Sequence, residues 1–259
     1  MPARAKKIIR IFVFVLLFIG VSAYISYAVA EFRNGNQHSV CEAVDVQVEG
    51  GGQSAFLDNS KVEAILSEQH VHPKGRLMSQ IRIKEIEKTL RANRFVKKVE
   101  CYKSDDANAV GKGKVCIRVS LRTPVVFVMP TGKEGYYIDS EGVVIPNTVY
   151  SRNIVVATGD ISPSYAEQEL SVFGQFLSED SFWNEQIEQI VVTRNRKKQR
   201  VVTLVPRVGD QTIFMGTFDK FEKKLRRLKI FYQKGMPQVG WNKYKKLDLQ
   251  YDNQIVCTK

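Results

Sequence analysis

The stretch Lys114-Val-Cys-Ile-Arg-Val-Ser-Leu-Arg-Thr-Pro-Val125 decides how this chain is divided. Its apolar residues alternate from position 115 to position 121, which is the period of a half-buried β-strand. Pro124 has no N–H group to donate to a neighbouring strand, so the ladder ends at the Arg122-Thr123-Pro124 junction. We therefore predict one domain over residues 42–122 and a second domain over residues 123–259.

Upstream of this boundary the sequence predicts the element order β-α-α-β-β. A strand with apolar residues at every second position precedes a glycine-rich turn, and two segments with helical spacing follow it. The next two alternating segments are joined by a polar, glycine-containing loop, which predicts a hairpin. The predicted segments are a strand at 44–48, helices around 62–66 and 83–90, and strands at 95–102 and 114–121.

Downstream of the boundary the sequence predicts a strand-rich domain with helices, so the fold class is α+β with a mixed or antiparallel second sheet. A stripe at positions 218, 221, 225, 228 and 231 has the spacing of the buried face of an amphipathic helix. The predicted segments are strands at 125–129, 136–138, 142–145 and 154–157, a helix at 163–177, strands at 187–192, 200–205 and 212–215, the helix at 218–231, and strands at 246–251 and 255–258.

The amino-terminal region predicts a single transmembrane helix over residues 11–30. This stretch contains no Asp, Glu, Lys or Arg, and at 1.5 Å per residue about 20 residues span a bilayer core. Four basic residues precede it, so by the positive-inside rule residues 1–10 form a cytoplasmic tail. Residues 31–41 are then a spacer, and the bulk of the chain is periplasmic or otherwise extracytoplasmic.

A cleaved secretory signal is the alternative interpretation of this region. Ala28-Val29-Ala30 has the small-x-small form of a cleavage site behind a basic and an apolar segment. The apolar stretch is longer than the core of an ordinary signal, which favours the retained anchor. In both interpretations the rest of the chain is exported across the membrane.

The net charge of +12 restricts the class of partner. Much of it lies in three clusters, at residues 194–200, 220–229 and 243–246. For an exported chain we predict no nucleic-acid partner. Anionic lipid, cell-wall polymer or an acidic protein face fit the charge, and solvated surface residues are the simpler explanation.

Four cysteines are too few for a disulfide scaffold, although an exported chain permits bridges. Cys101 shares the face of the apolar residues of its strand, whereas Cys116 lies on the opposite face of the next strand. These two side chains therefore cannot bond without a bulge. Cys41 also has the outward parity of its strand. A Cys41–Cys116 bridge is therefore the preferred pairing if one forms, and free thiols are the alternative.

No motif in the chain predicts catalysis, a metal site or a cofactor site. The Gly-x-Ser-x-Gly, His-Glu-x-x-His, Walker and Gly-x-Gly-x-x-Gly patterns are absent from the sequence. Asp139-Ser-Glu-Gly142 contains the best-spaced carboxylates, but between two apolar segments this composition predicts a turn. We therefore predict a protein that is not an enzyme and binds no cofactor or small-molecule substrate.

The chain's final strand has nothing after it in sequence to cover its edge. An edge strand leaves unpaired N–H and C=O groups that a strand of another protein can complete. The alternative is that this edge only closes the domain. We predict that partners bind there.

Five stretches in a fixed order carry a family resemblance. They are Val46-Gln-Val-Glu-Gly50, Arg94-Phe-Val-Lys-Lys-Val99, residues 115–125, Tyr137-Ile-Asp-Ser-Glu-Gly-Val-Val-Ile-Pro146 and Leu247-Asp-Leu-Gln-Tyr-Asp-Asn253. Together with the basic tail and single anchor they resemble the FtsQ/DivIB family of bacterial cell-division proteins, whose anchor precedes a POTRA domain and a β domain. Arg94 stands where the family usually has proline, and Gln250 stands where it usually has arginine.

The resemblance implies a non-enzymatic, single-pass protein of the inner membrane that acts as a divisome scaffold in septation. It implies binding to FtsB- and FtsL-like proteins, and to other divisome membrane proteins, by β-strand augmentation. Carried onto this chain, the implied contact residues are Tyr251, Asn253, Gln254, Ile255 and Val256. The runner-up is another POTRA-containing membrane protein that serves export or envelope assembly.

Overall fold

The computed structural model describes residues 3–35, 39–50, 57–105, 112–147 and 154–259, and the side chains of residues 13–29 within the first of these ranges. The chain forms two compact units. The first consists of Met1–Glu49, Asp58–Asn93 and Lys98–Val119. The second consists of Ser120–Lys259 with the short segments Gly50–Leu57 and Arg94–Lys97.

The predicted membrane segment lies within α1, a helix of 33 residues from Ala3 to Gly35. Its described side chains are exposed, among them Phe14, Leu17 and Phe18. Part of the predicted spacer, residues 36–38, lies outside the described residues. Over the part of the chain that the structure describes, none of the helices has both the length and the apolar character that a membrane span requires.

The remainder of the first unit, with the adjoining ends of β2 and β3, has the predicted β-α-α-β-β order. It contains β1 (Val40–Glu49), α2 (Asn59–Glu68), α3 (Ile83–Arg91), β2 (Val96–Asp105) and β3 (Lys112–Leu121). The three strands form a sheet in the order β1-β3-β2, and α2 packs against β1 and α3. The buried residues include those that strand alternation and helical spacing predicted, among them Val62, Leu66, Ile86, Leu90, Val115, Ile117 and Val119.

All four cysteines are free thiols in this structure, which is the alternative that the sequence left open, and the outward orientation predicted for Cys41 is wrong. The prediction assumed unbroken alternation along β1. Instead Glu42 and Ala43 are both exposed while Cys41 and Val46 are both buried, so the period of two is interrupted as it is at a β-bulge. The Cys41 thiol therefore lies on the buried side, where burial raises its pKa and the backbone of Val115 opposes that shift.

The second unit is built on a nine-stranded mixed sheet in the order β12-β11-β10-β9-β8-β7-β4-β5-β6. The pairs β4–β7, β7–β8 and β10–β11 are parallel, and the other pairs are antiparallel. Its strands are β4 (Pro124–Pro130), β5 (Tyr136–Asp139), β6 (Val144–Ile145), β7 (Val155–Gly159), β8 (Ile187–Arg194), β9 (Arg200–Pro206), β10 (Thr212–Gly216), β11 (Lys246–Asp248) and β12 (Val256–Thr258).

The helices of the second unit supply the aromatic part of its core. They are α4 (Pro163–Tyr165), α5 (Ser171–Glu179), α6 (Ser181–Gln186), α7 (Phe221–Ile230) and α8 (Met236–Val239), with π-helical turns at Ala166–Leu170 and Phe231–Gly235. Four residues of the predicted stripe are buried and Phe231 is half-buried against the same core, but Phe218 lies before α7 and Phe231 lies after it. Phe218 nevertheless reaches the same core, with its ring centroid 4.7 Å from that of Phe173.

The sequence analysis missed α6, although the signal for its start is present in the sequence. Asp180 is the residue before the helix, and its Oδ1 accepts the backbone N–H groups of Phe182 and Trp183 at 2.9 and 3.2 Å. Burial on its own would raise the pKa of Asp180, but these N–H groups and Lys229 outweigh burial and the pKa is lowered. The cap turns Trp183 into the core, where it is fully buried.

Candidate partner-binding edge

β12 is the terminal strand of the nine-stranded sheet, and its only neighbour among the described strands is β11. The two strands are antiparallel, with Val256 opposite Asp248 and Thr258 opposite Lys246. The final strand is therefore an edge strand, as the sequence analysis expected. It begins one residue later than predicted, because residues 254 and 255 form an irregular connection after the turn at 251–253.

Backbone alternation identifies which groups of β12 face outward. Leu249 donates its N–H group to the carbonyl oxygen of Phe214 on β10, at 2.9 Å. Lys246 and Asp248 have the opposite parity to Leu249. Their backbone N–H and C=O groups therefore point to the other side of β11, toward β12. Val256 and Thr258 face them, so the N–H and C=O groups of Cys257 point away from β11 to the outer edge.

The five predicted contact residues lie in and just before this edge. Tyr251 and Val256 are both exposed, and Asn253 has a φ of 61°, a left-handed conformation that asparagine tolerates in turns. Gln254 is exposed, whereas Ile255 is half-buried and packs against the core. The turn thus brings exposed side chains next to the open strand.

A groove of about 400 Å³ lies beside this turn, between it and the end of α7. Ile230, Phe231 and Ile255 supply its apolar surface, and Arg227 and Lys234 add positive charge. Ile230 is 53% exposed, so about half of its side chain is open to solvent beside the groove. The groove therefore offers an apolar recess with basic neighbours next to the open edge.

Arg227 connects the helix to the strand region. Its Nη2 donates to the carbonyl oxygen of Leu249 at 2.9 Å, and its buried Nε has no partner among the described residues.

Burial raises the pKa of the Cys257 thiol. That thiol is consequently protonated at neutral pH, and the edge presents backbone hydrogen-bonding groups rather than a reactive sulfur.

Sequence reasoning missed two parts of this site. It did not identify Cys257, because the outward direction of its backbone depends on how β11 pairs with β10. It also assigned Phe231 to the core stripe and left Ile230 unremarked. The sequence feature that could have identified the groove is an isoleucine next to the stripe, within a segment rich in lysine and arginine.

The carboxylates of Asp139 and Glu141 both accept from Arg122 at the turn after β5. Asp139 is buried, and its Oδ1 accepts the N–H groups of Glu141 and Val143 at 2.9 and 2.8 Å. Its Oδ2 accepts from Arg122 Nη1 at 2.6 Å. Its Oδ1 therefore closes the turn after β5, in agreement with the turn that the sequence predicted, and its Oδ2 ties that turn to Arg122.

An open, terminal strand with a side groove is a surface suited to binding another polypeptide. The family model described as FtsQ/DivIB, C-terminal related, matches residues 123–258, just over half of the chain. The chain belongs to the FtsQ/DivIB family. A second model, for a POTRA-like domain, matches residues 39–120. No curated protein matches the chain.

Membership of the FtsQ/DivIB family confirms the resemblance seen in the sequence. It assigns the protein to cell division, as a component of scaffold type rather than catalytic type. It also indicates membrane association at the division site and interaction with other divisome proteins. The POTRA-like match coincides with the sheet β1-β3-β2, and the FtsQ/DivIB match coincides with the nine-stranded sheet that ends in β12.

Proposed function

We propose that this FtsQ/DivIB protein is a bitopic divisome scaffold that captures partners by β-strand addition at the outer edge of β12. One observation carries the proposal: β12 ends the sheet with a single described neighbour. A partner strand placed beside it pairs with the outward N–H and C=O groups of Cys257. The family assignment supports FtsB- and FtsL-like proteins as the source of that strand.

The residues around the edge give the added strand its specificity. Tyr251, Asn253, Gln254 and Val256 are exposed and form the rim of the contact. Ile255 continues from the strand into the groove, beside Ile230 and Phe231. Backbone pairing supplies affinity without regard to sequence, so an apolar partner side chain in this groove fixes the position of the strand.

The orientation of Cys257 provides a sharp test of strand addition. Proline at position 257 removes the outward N–H group without removing a hydrogen bond to β11, and edge strands tolerate proline at such positions. We expect Cys257→Pro to weaken binding of the full chain to an FtsB/FtsL-like pair by at least about tenfold, since one backbone hydrogen bond and the close approach of the partner are lost. Titration calorimetry of the detergent-solubilised proteins measures the dissociation constant.

Cys257→Val is the matched control, because valine keeps the N–H group and suits a half-buried strand position. Its dissociation constant should stay within about twofold of the parent, since no hydrogen bond is removed. Circular dichroism verifies that both variants retain the sheet. Equal affinity of the proline and valine variants would show that partners do not add to this edge.

We further propose that residues 11–30 anchor the chain in the inner membrane, with residues 1–10 in the cytoplasm. The uncharged sequence of this stretch and the membrane association of the family support this topology. We expect the full chain to stay in the membrane pellet after alkaline carbonate extraction and a variant without residues 11–30 to be released. Recovery of the full chain in the supernatant would contradict the anchor.

A further inference from the structure

The β2 edge of the first unit is occupied by side chains of α3. β2 lies at one end of the order β1-β3-β2, so one side of its backbone has no strand beside it. Glu87 Oε1 accepts the N–H group of Cys101 at 3.3 Å, and Arg91 Nη2 donates to the carbonyl oxygen of Val99 at 3.2 Å. Glu87 and Arg91 are themselves paired at 3.0 Å, one helical turn apart.

These contacts reproduce the hydrogen-bonding pattern of a neighbouring strand. Residues 99 and 101 have the same parity, so their backbone groups point to the same side of β2, away from β3. An added strand would offer a carbonyl acceptor to Cys101 and an N–H donor to Val99. The carboxylate of Glu87 and the guanidinium of Arg91 already occupy those two roles.

The surroundings show that the Glu87 contact is packed rather than incidental. The Glu87 side chain is only 20% exposed, whereas that of Arg91 is 54% exposed. Burial, reinforced by the charge of Glu87, raises the pKa of the Cys101 thiol to about 12. The outer edge of β12, in contrast, has no comparable side-chain pair among the described residues.

We propose that Glu87 and Arg91 close the β2 edge against strand addition and so exclude a second copy of this chain from pairing there. β2 is ten residues long, and an exposed edge of that length is a template for pairing with an identical strand. Natural sheets guard such edges with charged residues or by covering them with other elements. In this unit α3 does both at residues 99–101 of β2, because it covers the edge there and places charged side chains against it.

The test compares the full chain with Glu87→Ala/Arg91→Ala in detergent. At low protein concentration we expect hydrogen–deuterium exchange at the Cys101 amide to rise at least about tenfold, since a hydrogen bond to a charged acceptor is lost. At high concentration we expect the variant to dimerise in sedimentation velocity and to regain protection at Cys101. The parent should remain monomeric with a protected Cys101 amide throughout.

The matched control is Arg82→Ala/Glu85→Ala, which removes an exposed ion pair of 2.7 Å at the start of the same helix. This pair contacts no strand backbone in the described structure, so the control should exchange and sediment as the parent does. An unchanged Cys101 amide in the Glu87/Arg91 variant overturns the proposal. An unprotected amide without dimerisation at high concentration overturns it as well.

The amides of Glu100 and Tyr102 face β3 and report whether the variant sheet is intact. If they lose protection, the single variant Glu87→Gln decides the question. Glutamine keeps an acceptor oxygen but loses the charge that pairs with Arg91 and strengthens the bond from Cys101. A several-fold faster Cys101 amide in Glu87→Gln supports the proposal, and an unchanged rate overturns it.

Discussion

Replacing Phe173 with alanine is expected to lower the free energy of unfolding of the second unit by about 4 kcal/mol, the cost typical of deleting a buried aromatic ring. Phe173 is fully buried on α5. Its ring centroid lies 4.7 Å from that of Phe218 and 5.2 Å from that of Phe221, the latter edge to face. Alanine therefore removes both the buried surface and two aromatic contacts.

The cavity left by Phe173→Ala cannot collapse easily, because α5 is already in close contact with the sheet. A Cβ atom placed on Gly174 would come within 2.3 Å of Val126 Cγ2, so the helix backbone has no room to move closer to β4. An unrelaxed cavity adds to the cost of the lost apolar contacts. This is why we expect a value near the upper part of the usual range.

Urea unfolding followed by tryptophan fluorescence measures this effect on the second unit alone. The chain has two tryptophans, Trp183 and Trp241, and both lie in that unit. The control is Phe176→Ala on the same helix, since Phe176 is only half-buried. We expect it to cost roughly half as much, because part of its surface already meets solvent. Equal costs for the two variants would contradict the assigned packing.

The order of strands and helices in this protein follows from the period of its apolar residues. The alternation at Val115, Ile117 and Val119 and the stripe containing Leu225 and Leu228 both mark buried positions. A periodic pattern identifies the buried face of a single helix or strand, and it does so only where that helix or strand is regular. The interrupted alternation after Cys41 breaks that condition, and the outward orientation predicted for Cys41 was wrong for this reason.

The candidate site was predictable only in its position along the chain. The sequence places a strand at the carboxyl terminus, and the edge position of β12 agrees with that. The outward direction of Cys257 depends on the pairing of three strands, and the groove joins Ile230 to Ile255 across 25 positions of sequence. Contacts between separate elements are set by tertiary packing, which local patterns do not encode.

Replacing Asp139 with alanine is the second change for which we expect a large loss of stability, about 3–5 kcal/mol. The Asp139 side chain is 3% exposed and that of its partner Arg122 is 15% exposed. Removing the carboxylate leaves the guanidinium with Glu141, which is 49% exposed, as its one ion-pair partner among the described residues, at 2.9 Å. It also leaves the N–H groups of Glu141 and Val143 without their side-chain acceptor.

Two comparisons separate this loss from a general effect of removing charge. Glu141→Gln removes the exposed member of the same cluster, so its cost should stay below about 1 kcal/mol. In the background Arg122→Met, where no guanidinium needs a partner, Asp139→Ala should cost clearly less than in the parent. Tryptophan-monitored urea unfolding gives the free energies of the parent, the three single variants and the double variant. If the cost of Asp139→Ala is the same in both backgrounds, the ion pair with Arg122 does not contribute to stability. The hydrogen bonds of the turn would then account for the whole cost.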